Sequence, residues 1–332
     1  MEVFMRSLSG IQPSGILHIG NYFGAIKQFV ELQDEYEGFY FLANYHALTS
    51  SPKGDDLKTN TINVILDYLA LGLDPEKSTL YIQSDVPEVA ELTLLLNNNS
   101  YLGELMRTTS FKEKARQQPE NVNAGLLTYP VLMCADIIIH HAQKVPVGKD
   151  QEQNLEMARK FAQRFNNMYN VEYFPIPQPF NYGESLIKIP GLDGSGKMGK
   201  SEGNGIFLAE DPASIRKKVM KAVTDSGPTA PNAVMPEVIQ NLFTIMNVVS
   251  TPDTVNYFTD KWNSCEIRYG DFKKQLAEDI VQFTEPIRNK INDIKNDEVY
   301  LSKVVAMGRE KAHESAAKRI KEVREIIGFK RF

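Results

Sequence analysis

Two glycine-rich stretches of the sequence combine residue types that bind phosphate. The first spans residues 9–21 and contains His18, whose ring can donate a hydrogen bond to a phosphoryl oxygen in either charge state. Gly20 has no Cβ, so a flat ring can lie against the backbone there. The second spans residues 191–201, and we expect a mobile loop that carries two point charges, Lys197 and Lys200. Each stretch alone also suits a solvated surface turn, but the pair predicts a nucleotide site.

The first stretch lies between a predicted strand and a predicted helix. An apolar run precedes it at residues 3–8, and apolar residues recur at helical spacing from Tyr22 to Leu32. A helix N-terminus presents unpaired N–H groups and the positive end of the helix dipole, both of which favour phosphate.

Strand and helix patterns alternate through the first half of the chain. Buried strands are predicted at 38–43 and 79–83, and helices at 58–71 and 88–105, whereas 111–123 is expected to be a loop or a short helix. This order predicts an α/β fold with a doubly wound parallel sheet, in which ligands bind beyond the carboxyl ends of the strands. From residue 211 onward nearly all patterns are helical, at 213–224, 235–249, 251–262, 269–290 and 297–327.

Composition and charge limit the classes of function. The chain has 332 residues, 42% hydrophobic and 24% charged, with a net charge of −5, which argues against non-specific nucleic-acid coating. We find no run of membrane-spanning length and no export signal, so we expect a cytoplasmic protein with neither a membrane nor a DNA partner. The only cysteines, Cys134 and Cys265, exclude a four-cysteine metal site within one chain.

A single carboxylate, Asp136, stands in the otherwise uncharged stretch 126–139. A buried carboxylate needs partners, and a backbone N–H or a nearby lysine would be the ordinary ones. It can also accept a hydrogen bond from a substrate, and indole offers one N–H donor and no acceptor. A phenol hydroxyl could donate to it as well.

These stretches resemble a known family. His18-Ile19-Gly20 and Lys197-Met198-Gly199-Lys200-Ser201 are similar to the two nucleotide signatures of class I aminoacyl-tRNA synthetases, and their order suits the tyrosine/tryptophan subclass. Gly125 to Met133, with Ala135-Asp136-Ile137 and then 145–151, resembles bacterial tryptophanyl-tRNA synthetases. Further matches lie at 10–15, 111–114, 222–226 and 269–273, so the resemblance runs from residue 7 to residue 330.

The resemblance implies a role for each matching residue. Asp136 would bind the indole N–H, and Tyr129 and Gln151 the α-amino group. The rest of the tryptophan pocket would be Leu8, His46, Met133, Val145 and Val147. The catalytic groups on the phosphates would be His18, Lys197 and Lys200, with Lys114 or Lys112 assisting. The ATP-binding residues would be Gln12, Pro13, Ser14, Gly20, Asn21, Gly148, Lys149, Asp150, Ile189, Lys197, Met198, Gly199, Lys200 and Ser201.

The sequence departs from the family pattern in four places. Leu8 stands where an aromatic residue often covers the indole, and Asn44-Tyr45 replaces a common Asp-Gln pair. Lys149 replaces an acidic residue, and Gly199 replaces the serine of the lysine loop. None of these changes removes a group that the chemistry requires.

The implied reaction has two steps: ATP activates tryptophan, and the aminoacyl group then passes to tRNA(Trp). ATP is a substrate, Mg²⁺ is expected on its phosphates, and we assign no protein metal ligand. The implied organisation is a Rossmann-like catalytic domain at 1–205 and a helical tRNA/anticodon-binding domain at 206–332, whose last helix packs back on the first, in a homodimer. Between residues 308 and 332, eight lysines and arginines oppose four glutamates, which suits tRNA contact or simply a solvated helix face.

Three alternatives stay open at this point. A tyrosine-specific enzyme of the same subclass would share the fold and the mechanism. A nucleotidylyltransferase can share the first loop but would not account for the long helical second half. A regulatory paralogue that binds tryptophan or tRNA is disfavoured because His18, Lys197 and Lys200 are intact.

Overall fold

Five strands form a parallel sheet in the order β3-β2-β1-β4-β5. The computed structural model describes residues 5–50, 52–146, 152–180, 187–200 and 202–330. The strands are β1 Arg6–Ile11, β2 Glu37–Leu42, β3 Thr79–Ile82, β4 Lys144–Pro146 and β5 Gln178–Phe180. The chain moves outward from β1 to β3 and then returns to the other side of β1, so the sheet has its topological switch point between β1 and β4. The predicted doubly wound parallel sheet is confirmed.

Helices cover both faces of the sheet and make up the second half of the chain. The α-helices of the first half are α1 Ile19–Asn21, α2 Lys27–Glu31, α3 Asn44–Ala47, α4 Gly54–Ala70, α5 Glu88–Asn97, α6 Leu102–Leu105, α7 Thr109–Gln117, α8 Ala124–Ile139 and α9 Glu152–Tyr169. Those of the second half are α10 Pro212–Met220, α11 Glu237–Val249, α12 Pro252–Asn263, α13 Tyr269–Asn296 and α14 Glu298–Ile327. None of the described helices is long and apolar enough to cross a membrane.

Several boundaries differ from the sequence pattern for local reasons. The helix predicted at 22–32 begins with a π-helical stretch, Tyr22–Ile26, between α1 and α2. The helix predicted at 88–105 ends at Asn97, where the run of three asparagines begins, and a separate short helix, α6, follows. The polar segment at 111–123 overlaps a nine-residue helix, α7, which begins at Thr109 and whose N-terminus is capped by the Thr108 side chain.

Alternation along β2 gives the molecule two apolar cores. Tyr40 and Leu42 point into the core that α4 and α13 cover, whereas Phe39 and Phe41 point into the core that α5, α8 and α9 cover. Successive side chains of a strand face opposite sides of the sheet, so a central strand of a doubly covered sheet is apolar throughout.

The helices after residue 206 share the first of these cores with the sheet. Phe283 of α13 stacks on Phe23 with their ring centroids 5.3 Å apart, and Ile215 and Phe272 belong to the same apolar cluster as Tyr40. The division into two domains near residue 205 stays a prediction.

The last helix, α14, crosses the edge strand β3. A Cβ added at Gly308 would lie 1.7 Å from the carbonyl oxygen of Leu80, so the helix backbone rests directly on the strand. Val304 enters the first core, and Ala312 and Ala316 enter the second. A row of small residues at four-residue spacing thus allows α14 to cover an otherwise exposed sheet edge.

Candidate active site

A cavity of about 450 Å³ opens at the carboxyl end of the sheet, beside the switch point. Six residues predicted to bind tryptophan line it, together with Gln12 and Lys114 from the other predicted sets. These six are Leu8, His46, Tyr129, Met133, Asp136 and Val145. The remaining lining residues are Ser9, Gly10, Ile11, Phe41, Ala43, Ile137 and Pro146. The predicted residues that line the cavity come from β1 and the loop after it, from α3, α7 and α8, and from β4.

Asp136 is 1% exposed and lies in a network of hydrogen bonds on the wall of this cavity. Its Oδ2 lies 2.8 Å from Nε2 of His46, and Gln83 Nε2 donates to both carboxylate oxygens, at 2.8 and 2.9 Å. Burial raises the pKa of Asp136, and the His46 and Gln83 contacts act against that rise. The side-chain partners of this carboxylate are thus a histidine and an amide, whereas the sequence suggested a lysine or a backbone N–H as the ordinary partner.

A cation and two rings form the adjoining wall. The Lys114 ammonium lies 4.5 Å from the centroid of the Tyr129 ring, which in turn meets the His46 ring edge to face at 4.6 Å. Burial lowers the pKa of Lys114. Removing water from this cation makes an anionic ligand in the cavity a more favourable partner for it.

The first glycine-rich loop is fixed by backbone pairing with the segment that follows the lysine loop. Ile19 N donates to Ile206 O at 3.0 Å, and Leu208 N donates to Leu17 O at 3.0 Å. Asn21 Oδ1 accepts from the backbone N–H of His18 at 3.0 Å. The segment that directly follows the lysine loop is therefore paired with the first glycine-rich loop.

His18 is neutral in this setting. Its burial, and then the positive charges of Lys200 and Lys197, lower its pKa to about 4. A Cβ at Gly20 would come within 2.9 Å of His18 Nδ1, so the ring that uses the space left by this glycine is that of His18. At neutral pH, His18 can therefore act on a phosphoryl oxygen as an uncharged hydrogen-bond donor.

The lysine loop reaches back to the first loop. Lys200 Nζ donates to Gly15 O at 3.2 Å and to Ser14 Oγ at 3.4 Å. Met198 is 1% exposed, and its N–H donates to Ile189 O at 3.0 Å. Because the Met198 side chain fills the first core, it anchors the loop, and it presents only backbone atoms to a ligand.

One buried amide organises this loop. Asn204 Nδ2 donates to Asp193 Oδ1, Ser195 Oγ and Lys197 O, at 2.9–3.2 Å, and its Oδ1 accepts from Gly199 N at 3.0 Å. These bonds join residues on both sides of Lys197. Gly191 is required here, because a Cβ at that position would lie 2.3 Å from Asn204 Nδ2.

The sequence did not single out three polar residues that support the site: Gln83, Asp67 and Asn204. Gln83 directly follows β3, and its position at the carboxyl edge of the sheet was the available signal. Asp67 is a charge within the apolar run of α4 and accepts the N–H of Leu17 at 3.0 Å.

The predicted residues Val147, Gly148, Lys149, Asp150, Gln151 and Ser201 lie outside the described part of the chain. Among the described residues, no group of His, Cys, Asp and Glu could hold a metal ion.

Comparison with known proteins identifies the class that this fold and site define. The family model for class I tRNA synthetases specific for tryptophan and tyrosine (W and Y) matches residues 2–285, and the chain belongs to that family. It is 61% identical to the tryptophan–tRNA ligase of Porphyromonas gingivalis over 97% of this chain and 99% of the relative. Identity to the tryptophan–tRNA ligase of Fusobacterium nucleatum is 47%, over 97% and 98%.

A solved structure matches nearly the whole chain. The tryptophanyl-tRNA synthetase of Campylobacter jejuni, complexed with ADP and tryptophan, is 37% identical with a TM-score of 0.87. The comparison covers 98% of this chain and 100% of that one. The resemblance to class I synthetases found in the sequence is confirmed.

Proposed function

We infer that this protein is a tryptophan–tRNA ligase. It would join L-tryptophan to ATP, giving tryptophanyl-adenylate and pyrophosphate, and then transfer the aminoacyl group to tRNA(Trp). The observation that carries this proposal is the buried Asp136 on the wall of a 450 Å³ cavity beside the His18 and Lys200 loops. The similarity to curated tryptophan–tRNA ligases supports the same choice of amino acid.

In this proposal the cavity binds the indole ring. Leu8, Met133 and Val145 supply apolar contact, and Asp136 accepts the indole N–H. A carboxylate has about four acceptor positions, and His46 and Gln83 occupy three by their contacts. One position is left for a substrate donor. Phenylalanine offers no donor at that place, so the buried carboxylate selects against it.

The activation step needs no protein nucleophile. A carboxylate oxygen of tryptophan attacks the α-phosphorus of ATP, the bond to the bridging oxygen breaks, and pyrophosphate leaves. Neutral His18 would donate to a phosphoryl oxygen, and Lys200 and Lys197 would offset the charge that develops on the leaving group. Gln12, at the edge of the cavity, would contact the joined substrates.

Mg²⁺ would enter with ATP, held by phosphate oxygens, and would withdraw charge from them. The Lys200 ammonium beside Ser14 and Gly15 suits anionic phosphates and not a bare cation, so the metal ion would arrive already bound to the phosphates. In the second step, a ribose hydroxyl of the tRNA attacks the carbonyl carbon of the adenylate and AMP leaves.

We propose that the helical second half contacts tRNA(Trp), that the enzyme acts in the cytoplasm, and that two copies form a homodimer.

The exposed apolar residues Leu94, Tyr101, Leu102 and Met106 lie close in sequence around α5 and α6 and suit the dimer contact. Sedimentation of wild type and Leu102→Glu tests this contact, because the charge should convert a dimer to monomers. Equal sedimentation of the two proteins would reject that surface.

Pyrophosphate–ATP exchange tests the activity directly, with tryptophan, tyrosine or phenylalanine supplied in turn and tRNA absent. We expect exchange with tryptophan only. Exchange with tyrosine would keep the mechanism and overturn the specificity assigned to the cavity. Folded protein that exchanges with none of the three would be a binding paralogue and not a ligase.

A further inference from the structure

The proposed reaction gives no role to the buried carboxylate of Asp67. Asp67 of α4 is 1% exposed, and its neighbours Leu66, Tyr68 and Leu69 belong to the first apolar core. A carboxylate in such surroundings lowers stability unless specific partners offset its loss of water. The identity of its partners therefore indicates its role.

The first partner is the backbone immediately before His18. Asp67 Oδ2 accepts the N–H of Leu17 at 3.0 Å, while the carbonyl of Leu17 accepts from Leu208 N. The peptide from which His18 projects is thus held on one side by α4 and on the other by the segment after the lysine loop. Asp67 fixes the start of the phosphate-binding loop through main-chain atoms.

The second partner is the charge of Lys200. Burial lowers the pKa of Lys200, and Asp67 is the group that acts against this shift. In return, the burial-driven rise of the Asp67 pKa is opposed first by the hydrogen bond from Leu17 and then by the charge of Lys200. The direct hydrogen bonds of Lys200 go to neutral atoms, Gly15 O and Ser14 Oγ. Asp67 and Lys200 thus bind the backbone of the same short segment, at Leu17 and at Gly15, and Asp67 is a negative charge that acts on the lysine.

We propose that Asp67 is a positioning residue of the ATP site, which anchors the His18 loop through Leu17 and serves as the counter-charge of Lys200 until a triphosphate replaces it. This inference rests on the proposed ATP-dependent activity of the same site. It assigns a specific competition: the carboxylate and the phosphates attract the same lysine and repel each other.

Two variants of Asp67 separate its charge from its hydrogen bond. Asp67→Asn keeps an oxygen acceptor for the Leu17 N–H but removes the charge, so Lys200 is free to bind phosphate. Asp67→Ala removes the acceptor as well, so the peptide before His18 loses its anchor. The first variant should bind MgATP more tightly than wild type, and the second should lower kcat for exchange more than the first does.

The main experiment is calorimetric titration with MgATP, without tryptophan, at pH 8, where Asp67 with its pKa of about 7 is ionised. We expect about three- to tenfold tighter binding for Asp67→Asn than for wild type. Adenosine, which has no phosphates, should bind both proteins equally. Asp279→Asn is the matched control, because Asp279 is a buried carboxylate whose partners, Ser250 and Gln275, lie in the helical second half.

A second measurement holds even if Asp67→Asn fails to fold. The pKa of the Asp67 carboxyl, followed by its ¹³C chemical shift, should rise in Lys200→Ala because the opposing charge is gone. An unchanged Asp67 pKa in that variant would overturn the coupling. So would MgATP affinity in Asp67→Asn that is equal to or weaker than wild type, or an equal gain for adenosine.

Failure of the proposed function gives a different result. If the wild-type protein binds MgATP but shows no amino-acid-dependent exchange, the proposed ligase activity is rejected, and the comparison of Asp67 variants in MgATP binding stays valid. Normal exchange with no Asp67 effect on MgATP binding would sink only the positioning role.

Discussion

His46 Nε2 lies 2.8 Å from Asp136 Oδ2, and both side chains are buried at the end of the sheet. With Gln83 on both oxygens, the carboxylate is held in one orientation before any substrate enters. Preorganisation of this kind lowers the entropic cost of binding. Asp136 therefore has a structural role in addition to the recognition role proposed for it, and a test must separate the two.

Asp136→Asn is the variant that separates these roles. The amide keeps the size of the carboxylate and one acceptor oxygen, but it removes the charge from the proposed contact with the indole N–H. We expect tryptophan affinity to fall about ten- to a hundredfold and discrimination against tyrosine to shrink, because a charge-assisted hydrogen bond contributes about 1.5–3 kcal/mol. Exchange kinetics with both amino acids measure this, with Asp279→Asn as the control. Unchanged discrimination would reject the assigned role.

Gly20→Ala should reduce catalysis with little loss of fold. The new Cβ would lie 2.9 Å from His18 Nδ1 and 3.0 Å from Cε1, so the ring must turn away from its present position. We expect kcat for exchange to fall about tenfold or more, since loss of one phosphate donor costs about 1.4 kcal/mol or more. Gly24→Ala is the control, because a Cβ at Gly24 meets nothing within 4 Å. Equal rates for the two variants would contradict the placement of His18.

The site residues that could be predicted from the sequence are those whose side-chain type is unusual among their neighbours in the chain. A lone carboxylate in an apolar helix and a histidine or lysine among glycines are visible in one dimension, and the fold pattern indicates which sheet edge they share. Asp136, Tyr129 and Met133 lie on one helix, so their grouping follows from helical spacing.

The supporting residues were not predictable in the same way. Gln83, which directly follows β3, reaches Asp136 on α8, and Asn204 closes a loop through bonds to residues up to eleven positions away. Such partners are defined by proximity in the fold and not by spacing. Asp67 stands in an apolar helical run much as Asp136 does, but its contact with Leu17, which connects it with the His18 loop, forms only in the folded chain.

Asn204→Ala tests whether the loop must be held in shape for catalysis. The change removes the bonds to Asp193 Oδ1, Ser195 Oγ and Lys197 O, and it leaves Gly199 N without its acceptor. We expect kcat/KM for ATP to fall about ten- to a hundredfold, because the geometry of Lys197 is no longer fixed. Equilibrium binding of tryptophan alone should be unaffected, since the cavity lies on other elements. Equal loss of both would indicate general unfolding.

Gly308→Ala should destabilise the packing of α14 on the sheet. Its Cβ would be placed 1.7 Å from Leu80 O, a backbone atom that can move only with β3. Overpacking of this kind costs about 1–3 kcal/mol of unfolding free energy. Gly270→Ala, at the start of α13 with nothing within 4 Å of its Cβ, should be neutral or slightly stabilising. Denaturant unfolding of both variants measures the difference, and equal midpoints would contradict the close approach.

The stability of Asp67→Asn relative to wild type should depend on pH. The folded-state pKa of Asp67, about 7, lies above its ordinary value of 3.8, because burial disfavours the charged carboxylate. Between these values the folded protein holds the proton more strongly than the unfolded chain, so this residue makes wild type less stable as pH rises from 4 to 7. Asparagine does not titrate, so the variant lacks this pH-dependent contribution to its unfolding free energy. Buried histidines such as His18 and His140 titrate alike in both proteins, so their contribution cancels in the comparison. We therefore expect the unfolding free energy of Asp67→Asn, relative to that of wild type, to increase by about 1–3 kcal/mol between pH 5 and pH 8. Denaturant titration of both proteins at each pH measures this difference. A constant difference across that range would show that Asp67 does not titrate with a raised pKa.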